Sequence, residues 1–309
     1  MLSNAETVVE DLFDKSLRIN PMEWKDLPCN LIRVLMHAGS YKVASGFVEK
    51  GVTLARSNAV KKGRMQRHWK LALHSLLHSS MGLYCNLACE AREVGDYANE
   101  IKYNQVSVEV ARESYELMKE LHGDEHLDAL GHKRCLGCRL LAVGRIDQAA
   151  EMIRSAQEKR LPSLRRQLHR RGINLDQLSL HDQRKLRHGD KRQVSMLGYD
   201  HYLLGLVALE RQEFPEAERQ FRKALRCAEV VSLGGQNDFD VASASVRLAE
   251  SLRHQQRQTN EISDLEERAR TILRGNYLRF NCGIDLPKVR KELAAPRPLE
   301  LDSLSTQAG

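Results

Sequence analysis

The stretch "HYLLGLVALERQEFPEAERQFRKAL" (201–225) places small residues at Gly205, Ala208, Ala217 and Ala224, where a buried helix would ordinarily carry bulk. Apolar residues recur three or four apart on both sides of the polar break "RQEF", so two amphipathic helices joined by a tight turn are expected. Two antiparallel helices pack closely only where the crossing point has little side-chain volume. On that reading Gly205 and Ala217 face each other at the crossing. Ala208 and Ala224 serve the contact with the next pair, and Leu204 and Phe221 fill the space beside it.

The same sentence of sequence is written three more times. "CNLIRVLMHAGSYKVASGFVEKGVTLA" (29–55) breaks at "AGSY", 82–111 breaks at "VGDY", and 131–160 breaks at "VGRI". Four copies of helix, polar turn, aromatic or Ile, helix constitute an internal repeat. With Leu204, Gly205, Ala208, Ala217, Phe221 and Ala224 at its pattern positions, 201–224 resembles a tetratricopeptide repeat, although His201 stands in the Trp slot and the closing Pro is missing. The third copy matches at Leu136, Gly137, Leu140, Ala149, Ile153 and Ala156. The first matches at Leu31, Leu35, Ala44 and Val48. The second matches at Leu87, Ala88 and Ala91 but has Glu100 in the slot that prefers Ala. A degraded fifth copy covers 244–273.

The resemblance implies an all-α, right-handed helical-hairpin solenoid, a TPR-like superhelix. The composition agrees: the 309 residues have sparse aromatics (5%) and only 7 Pro, with no β-branched runs that would suggest a sheet. Aligning Ala44, Glu100, Ala149 and Ala217 gives steps of 56, 49 and 68 residues, longer than the usual repeat. The last step becomes 33 when the 35 residues of 161–195 are removed, so that segment reads as an insertion. The first two steps imply longer helices or inserted turns. Residues 64–94 are expected to add a helix, with Trp69, Leu73, Leu76 and Leu77 packed. "HGDEHLDAL" (122–130) resembles the linker of the longer repeats in kinesin light chains and nephrocystin-like proteins. The organisation expected is an N-terminal helical cap (1–28), helix pairs (29–160), a basic insertion (161–195), further pairs (196–280), and a C-terminal segment (281–309), partly disordered because its Pro, Ser and Thr lack periodicity.

No run of apolar residues is long enough for a membrane span, and "MLSNAETVVEDLFDK" lacks the basic and apolar regions of a signal peptide. Seven cysteines, an odd number set within helical patterns, read as reduced thiols of a cytoplasmic protein. The net charge of +7 is local: 161–195 holds nine Lys or Arg against three Asp, leaving the rest of the chain near neutral.

Chemistry-bearing patterns are few. No phosphate loop, nucleophile elbow or kinase signature is present, and no paired carboxylates have a catalytic context, so no enzyme and no cofactor are expected. Cys85 with Cys89, and Cys135 with Cys138, share helix faces in first helices, a spacing that thiolate ligands of zinc also use. Cys as a small apolar packing residue is the simpler reading. His74 and His78 sit one turn apart without the Glu of a metalloprotease motif and read as packed helix histidines.

In this family first helices line a concave peptide-binding face. Positions that co-chaperones of the family use to hold a terminal carboxylate carry Cys29, Arg33, Asn86, Gly131 and Cys135 here, and only Asn86 agrees, which disfavours that role. Arg33, Asn86, Arg92, Arg134 and Tyr202 are the candidate groove residues, with the arginines suited to an acidic ligand. The resemblance thus implies a scaffold or adaptor binding a peptide or helix of another protein. The alternative is an RNA- or anionic-surface-associated factor that contacts phosphates through the insertion, by Arg165, Arg166, Arg170, Arg171, Arg184, Lys185 and Arg187. Two short amphipathic helices broken near Gly172 and closed at Gly189 would explain its leucines. The insertion lacks aromatics, so sequence-specific reading of bases is not expected. A groove that senses a small ligand or a metal is a third reading.

Overall fold

The computed structural model describes residues 8, 11–15, 27–232, 238–257 and 260–275. Ten α-helices follow one another among them: α1 (Leu27–His37), α2 (Tyr41–Ala59), α3 (Gln66–Glu93), α4 (Tyr97–His122), α5 (Leu127–Ala142), α6 (Ile146–His169), α7 (His188–Glu210), α8 (Phe214–Val231), α9 (Asp238–His254) and α10 (Asn260–Gly275). They form five antiparallel hairpins stacked in chain order, a right-handed helical-hairpin solenoid. No strand occurs among the described residues.

Each hairpin turns on the same device. The backbone is left-handed at Gly39, Gly95, Gly144, Gln212 and Gln256, with φ between 57° and 77°. The amide one residue later bonds back to a carbonyl five residues upstream: Ser40 to Leu35 at 2.9 Å, Asp96 to Ala91 at 2.8 Å, Arg145 to Leu140 at 2.9 Å, Glu213 to Ala208 at 2.8 Å and Arg257 to Leu252 at 3.2 Å. This is a Schellman closure, and it satisfies carbonyls that the helix end would otherwise orphan. Three repeats use glycine for it; the last two force a glutamine into the same conformation.

Packing within the hairpins follows from one small residue set against one large one. A Cβ on Gly205 would lie 2.6 Å from the Phe221 ring, and one on Gly137 would lie 2.7 Å from Ile153 Cγ1. Gly205 therefore meets Phe221, not Ala217 as the sequence suggested: the ring reaches across the crossing point and fills it. Ala217, Phe221 and Ala224 are all buried.

The long repeat steps come from long helices. α3 has 28 residues and α4 has 26, and Leu73, Leu76 and Leu77 are buried on α3, so 64–94 yields one continuous helix rather than an added one. Phe13, in a helical turn over 11–15, stacks on Phe47 of α2 at 4.3 Å. Most of 1–28 and all of the C-terminal segment 281–309 lie outside the described residues.

The insertion departs from expectation. Its first half is no separate helix, because α6 continues through Pro162 to His169. Its second half is two short 3-10 turns, Leu175–Gln177 and Leu180–Arg184, and Gly189 lies in the first turn of α7 rather than closing a helix. Leu164, Leu168, Ile173, Leu178 and Leu186 are buried together with Val194, Leu197 and the α8 residues Cys227, Val230 and Val231. The leucines read as an amphipathic hairpin instead build a small core that roofs α7 and α8.

Candidate functional site

The odd-numbered helices form the inner layer. α1 packs on α3, α5 on α7, and α7 on α9, whereas second helices are joined to one another by long ion pairs. Arg56 of α2 reaches Glu113 of α4 at 2.7 Å, and Arg222 of α8 reaches Glu261 of α10 at 2.5 Å. Close contact on one side and long charged bridges on the other are what a curved stack requires.

Two first-helix residues are exposed to solvent. His78 of α3 and Asp240 of α9 are accessible to solvent, yet burial lowers the basicity of the His78 imidazole and raises the Asp240 carboxyl. Arg33 of α1 and Arg139 of α5 further depress His78, and Arg134 of α5 faces Asp240.

Cysteines and arginine share the middle of the inner layer. Arg139 donates to Cys85 Sγ of α3, while Cys135, Cys138 and Tyr199 also surround its charge and favour its protonated form against the cost of burial. Cys138 Sγ lies 3.7 Å from the Tyr199 hydroxyl. Burial and the neighbouring Cys85 push the Cys89 thiol up to about 11. The pairs that suggested zinc thus enclose a guanidinium. Among the described residues no group of three or more His, Cys, Asp or Glu is placed to hold a metal ion.

Next to them three imidazoles converge. His74 Nε2 lies 2.7 Å from His132 Nε2, whose other ring nitrogen lies 3.2 Å from Ser114 Oγ, and His78 meets the His132 ring edge-on at 5.5 Å. Burial lowers His74 to about 4 and His132 to about 3, so all three are neutral at pH 7.

Deeper still lies an ion pair. Arg160 of α6 and Asp200 of α7 are 1% and 0% exposed and meet at 2.5 Å. Arg134 approaches the same carboxylate at 3.9 Å and stacks over Tyr199 at 5.1 Å. Burial raises the Asp200 carboxyl to about 6 and lowers the Arg160 guanidinium, the two arginines pulling Asp200 back only in part. Both shifts have desolvation as their first cause, the usual balance for a buried pair.

The candidate groove residues divide. Arg33 is exposed on α1 near His78, and Asn86 is half-buried on α3. Arg134 belongs to the inner face but is mostly covered, its guanidinium engaged by Tyr199 and Asp200 rather than free for a ligand. Arg92 lies at the turn between α3 and α4, where Nε donates to Glu100 at 2.6 Å. This pairing explains why Glu100 sits buried in a slot suited to Ala. Tyr202 packs on Tyr199 and edge-on against Phe221 at 5.8 Å, closer to the core than to an open groove.

In the insertion Arg165 pairs with Asp176 at 2.9 Å, Lys185 with Asp182 at 3.2 Å, and Arg171 with Asp190 at 2.8 Å. Arg166, Arg170, Arg184 and Arg187 are exposed. His132, Arg139, Arg160, Tyr199, Asp200 and Asp240 were not singled out by sequence. Only Arg139, one turn from Cys135 and next to Cys138, had a local signal.

No protein-family model matches the chain, and no curated protein is significantly similar to it. Solved structures are similar in shape. BtubC (BKLC) from P. vanneervenii superposes with a TM-score of 0.58 at 12% identity, over 92% of this chain and 94% of that one. A putative kinesin light chain from Podosopora anserina with nearly identical TPR-like repeats gives a TM-score of 0.48 at 13% identity, over 83% and 97%. The fold is that of TPR-like repeat proteins. No helix among the described residues is long and apolar enough to cross a membrane.

Proposed function

We propose that the chain is a non-enzymatic cytoplasmic adaptor whose inner face holds an extended peptide or a helix of a partner protein. The observation that supports this reading is the stack of first helices, α1 on α3, α5 on α7 and α7 on α9, with Arg33, His78 and Asp240 exposed on them. Arg33, exposed on α1 beside His78, suits an acidic residue of the ligand, while Asp240, exposed on α9, suits a basic one. The six cysteines among the described residues are all free thiols, which fits a reducing compartment.

Site-specific photo-crosslinking tests it. A crosslinker at Arg33 or Asn86 captures a partner segment that one at Glu151, exposed on outer helix α6, does not, and Arg33→Glu abolishes the capture. Capture from Glu151 alone, or from neither face, overturns the reading.

A further inference from the structure

The lobe between α6 and α7 is saturated with its own acids and still carries an excess of arginine. Its three aspartates, Asp176, Asp182 and Asp190, are each paired inside it with Arg165, Lys185 and Arg171. Arg166, Arg170, Arg184 and Arg187 remain exposed, and no acidic side chain pairs with them among the described residues.

These arginines are held, not trailing. Leu164, Leu168, Leu178 and Leu186 are buried in one small core, so the arginines interleaved with them are directed outward. Asp190, fully buried, accepts from Arg171 and, at 2.5 Å and 2.9 Å, from the Gln167 side chain and the Arg187 amide, which ties the end of α6 to the start of α7. Asp182 accepts from the Ser179 amide at 3.1 Å and hydroxyl at 2.8 Å, which fixes the turn that presents Arg184. On that turn sits Leu180, 63% exposed.

We propose that this lobe docks an acidic segment of another protein, with carboxylates against Arg166, Arg170, Arg184 and Arg187 and an apolar side chain over Leu180. Arginine forks bind carboxylates in two-point geometry, and four held on one small core lose little freedom on binding. Leu180 and Arg184 share one short turn, and an exposed apolar side chain beside charge suits a protein contact. Single-stranded RNA draws on aromatic platforms for stacking, and 161–195 contains none. The site lies apart from the inner face and stands whether or not that face binds a peptide.

Fluorescence anisotropy of the full chain tests it with three probes: a labelled glutamate-rich peptide bearing leucines at helical spacing, the same peptide with the leucines changed to serine, and labelled polyuridylate. Vesicles containing phosphatidylserine serve as a fourth, by co-sedimentation. The leucine-bearing peptide is expected to bind most tightly, weakening at least tenfold on quadruple Arg→Glu exchange at 166, 170, 184 and 187 and severalfold on Leu180→Asp, with Lys102→Glu, exposed on outer helix α4, without effect. Should the Glu variant misfold, the quadruple Arg→Gln exchange gives the same ranking with a smaller loss. Preference for polyuridylate or vesicles, indifference to Leu180, or binding by none of the probes overturns the proposal.

Discussion

His74 Nε2 and His132 Nε2 lie 2.7 Å apart, joining α3 of the second hairpin to α5 of the third through two neutral rings. At that distance one ring donates and the other accepts, so a second proton on the pair breaks the bond and sets two cations together. Asp128 is the acid that acts on His74, against His78 and His122; Arg134 acts unfavourably on His132.

Acid should therefore separate these repeats. Folding lowers the proton affinity of both rings, so the unfolded chain binds more protons once pH drops below the ordinary value of 6.5. Stability is whole above that value and drains as pH falls towards 4 for His74 and 3 for His132. Each ring costs about 1.4 kcal/mol per pH unit in that interval. His201, lowered to about 4 chiefly by burial, adds to the loss, while Asp200, raised to about 6, opposes it. Between pH 7 and 5 the thermal midpoint should fall by on the order of 10 °C. His74→Gln with His132→Asn should flatten that dependence; an unchanged slope sinks the assignment.

Asp200→Asn should cost about 3–5 kcal/mol, because it strands Arg160, 1% exposed, without a countercharge. Arg160→Met alone should cost less, since Arg134 still faces Asp200. The double variant should recover much of the Asp200→Asn loss in chemical denaturation. Strictly additive losses would mean that the pair is not coupled.

Local features of the fold were legible because each repeat writes its turn and its small-against-large crossing in nearby residues, such as Gly137 and Ile153 or Gly205 and Phe221. Features that depend on distant residues were not. Arg160 and Asp200 are 40 residues apart, across the basic lobe, and no periodicity links them. The lobe misled because leucines at helical spacing serve a core built from 3-10 turns as well as one built from helices. At the site, Arg33 lies exposed on α1 and Asn86 half-buried on α3. Tyr202 illustrates the limit, since sequence assigns a helix more readily than it assigns how deep each side chain sits.

Gly205→Ala should destabilise. The added methyl group lies within 2.8 Å of three atoms of the Phe221 ring, an overlap worth about 1–3 kcal/mol against roughly 1 kcal/mol of helix propensity gained. Gly46→Ala in α2, where nothing lies within 4 Å, should gain that propensity uncontested. Opposite signs in urea unfolding support the crossing geometry, and equal signs refute it.

Gln212, at φ 60°, occupies the left-handed position that glycine holds in the first three hairpins. A side chain there costs about 1–2 kcal/mol, so Gln212→Gly should stabilise, less the entropy that glycine adds to the unfolded chain. Gly95→Ala, at φ 77°, should do the reverse.

Arg92 and Glu100 should respond unequally to the same truncation. The Glu100 side chain is 12% exposed and that of Arg92 is 52%. Removing Arg92 leaves a nearly buried carboxylate without its partner, a loss of about 1–3 kcal/mol. Glu100→Ala instead installs the small residue that the slot accepts and leaves an arginine that water can reach, a cost of about 1 kcal/mol or less. Unfolding of the two single variants measures the order directly. If Glu100→Ala proves the more damaging, Glu100 is held by something other than Arg92, and the account of why a carboxylate occupies this alanine position fails.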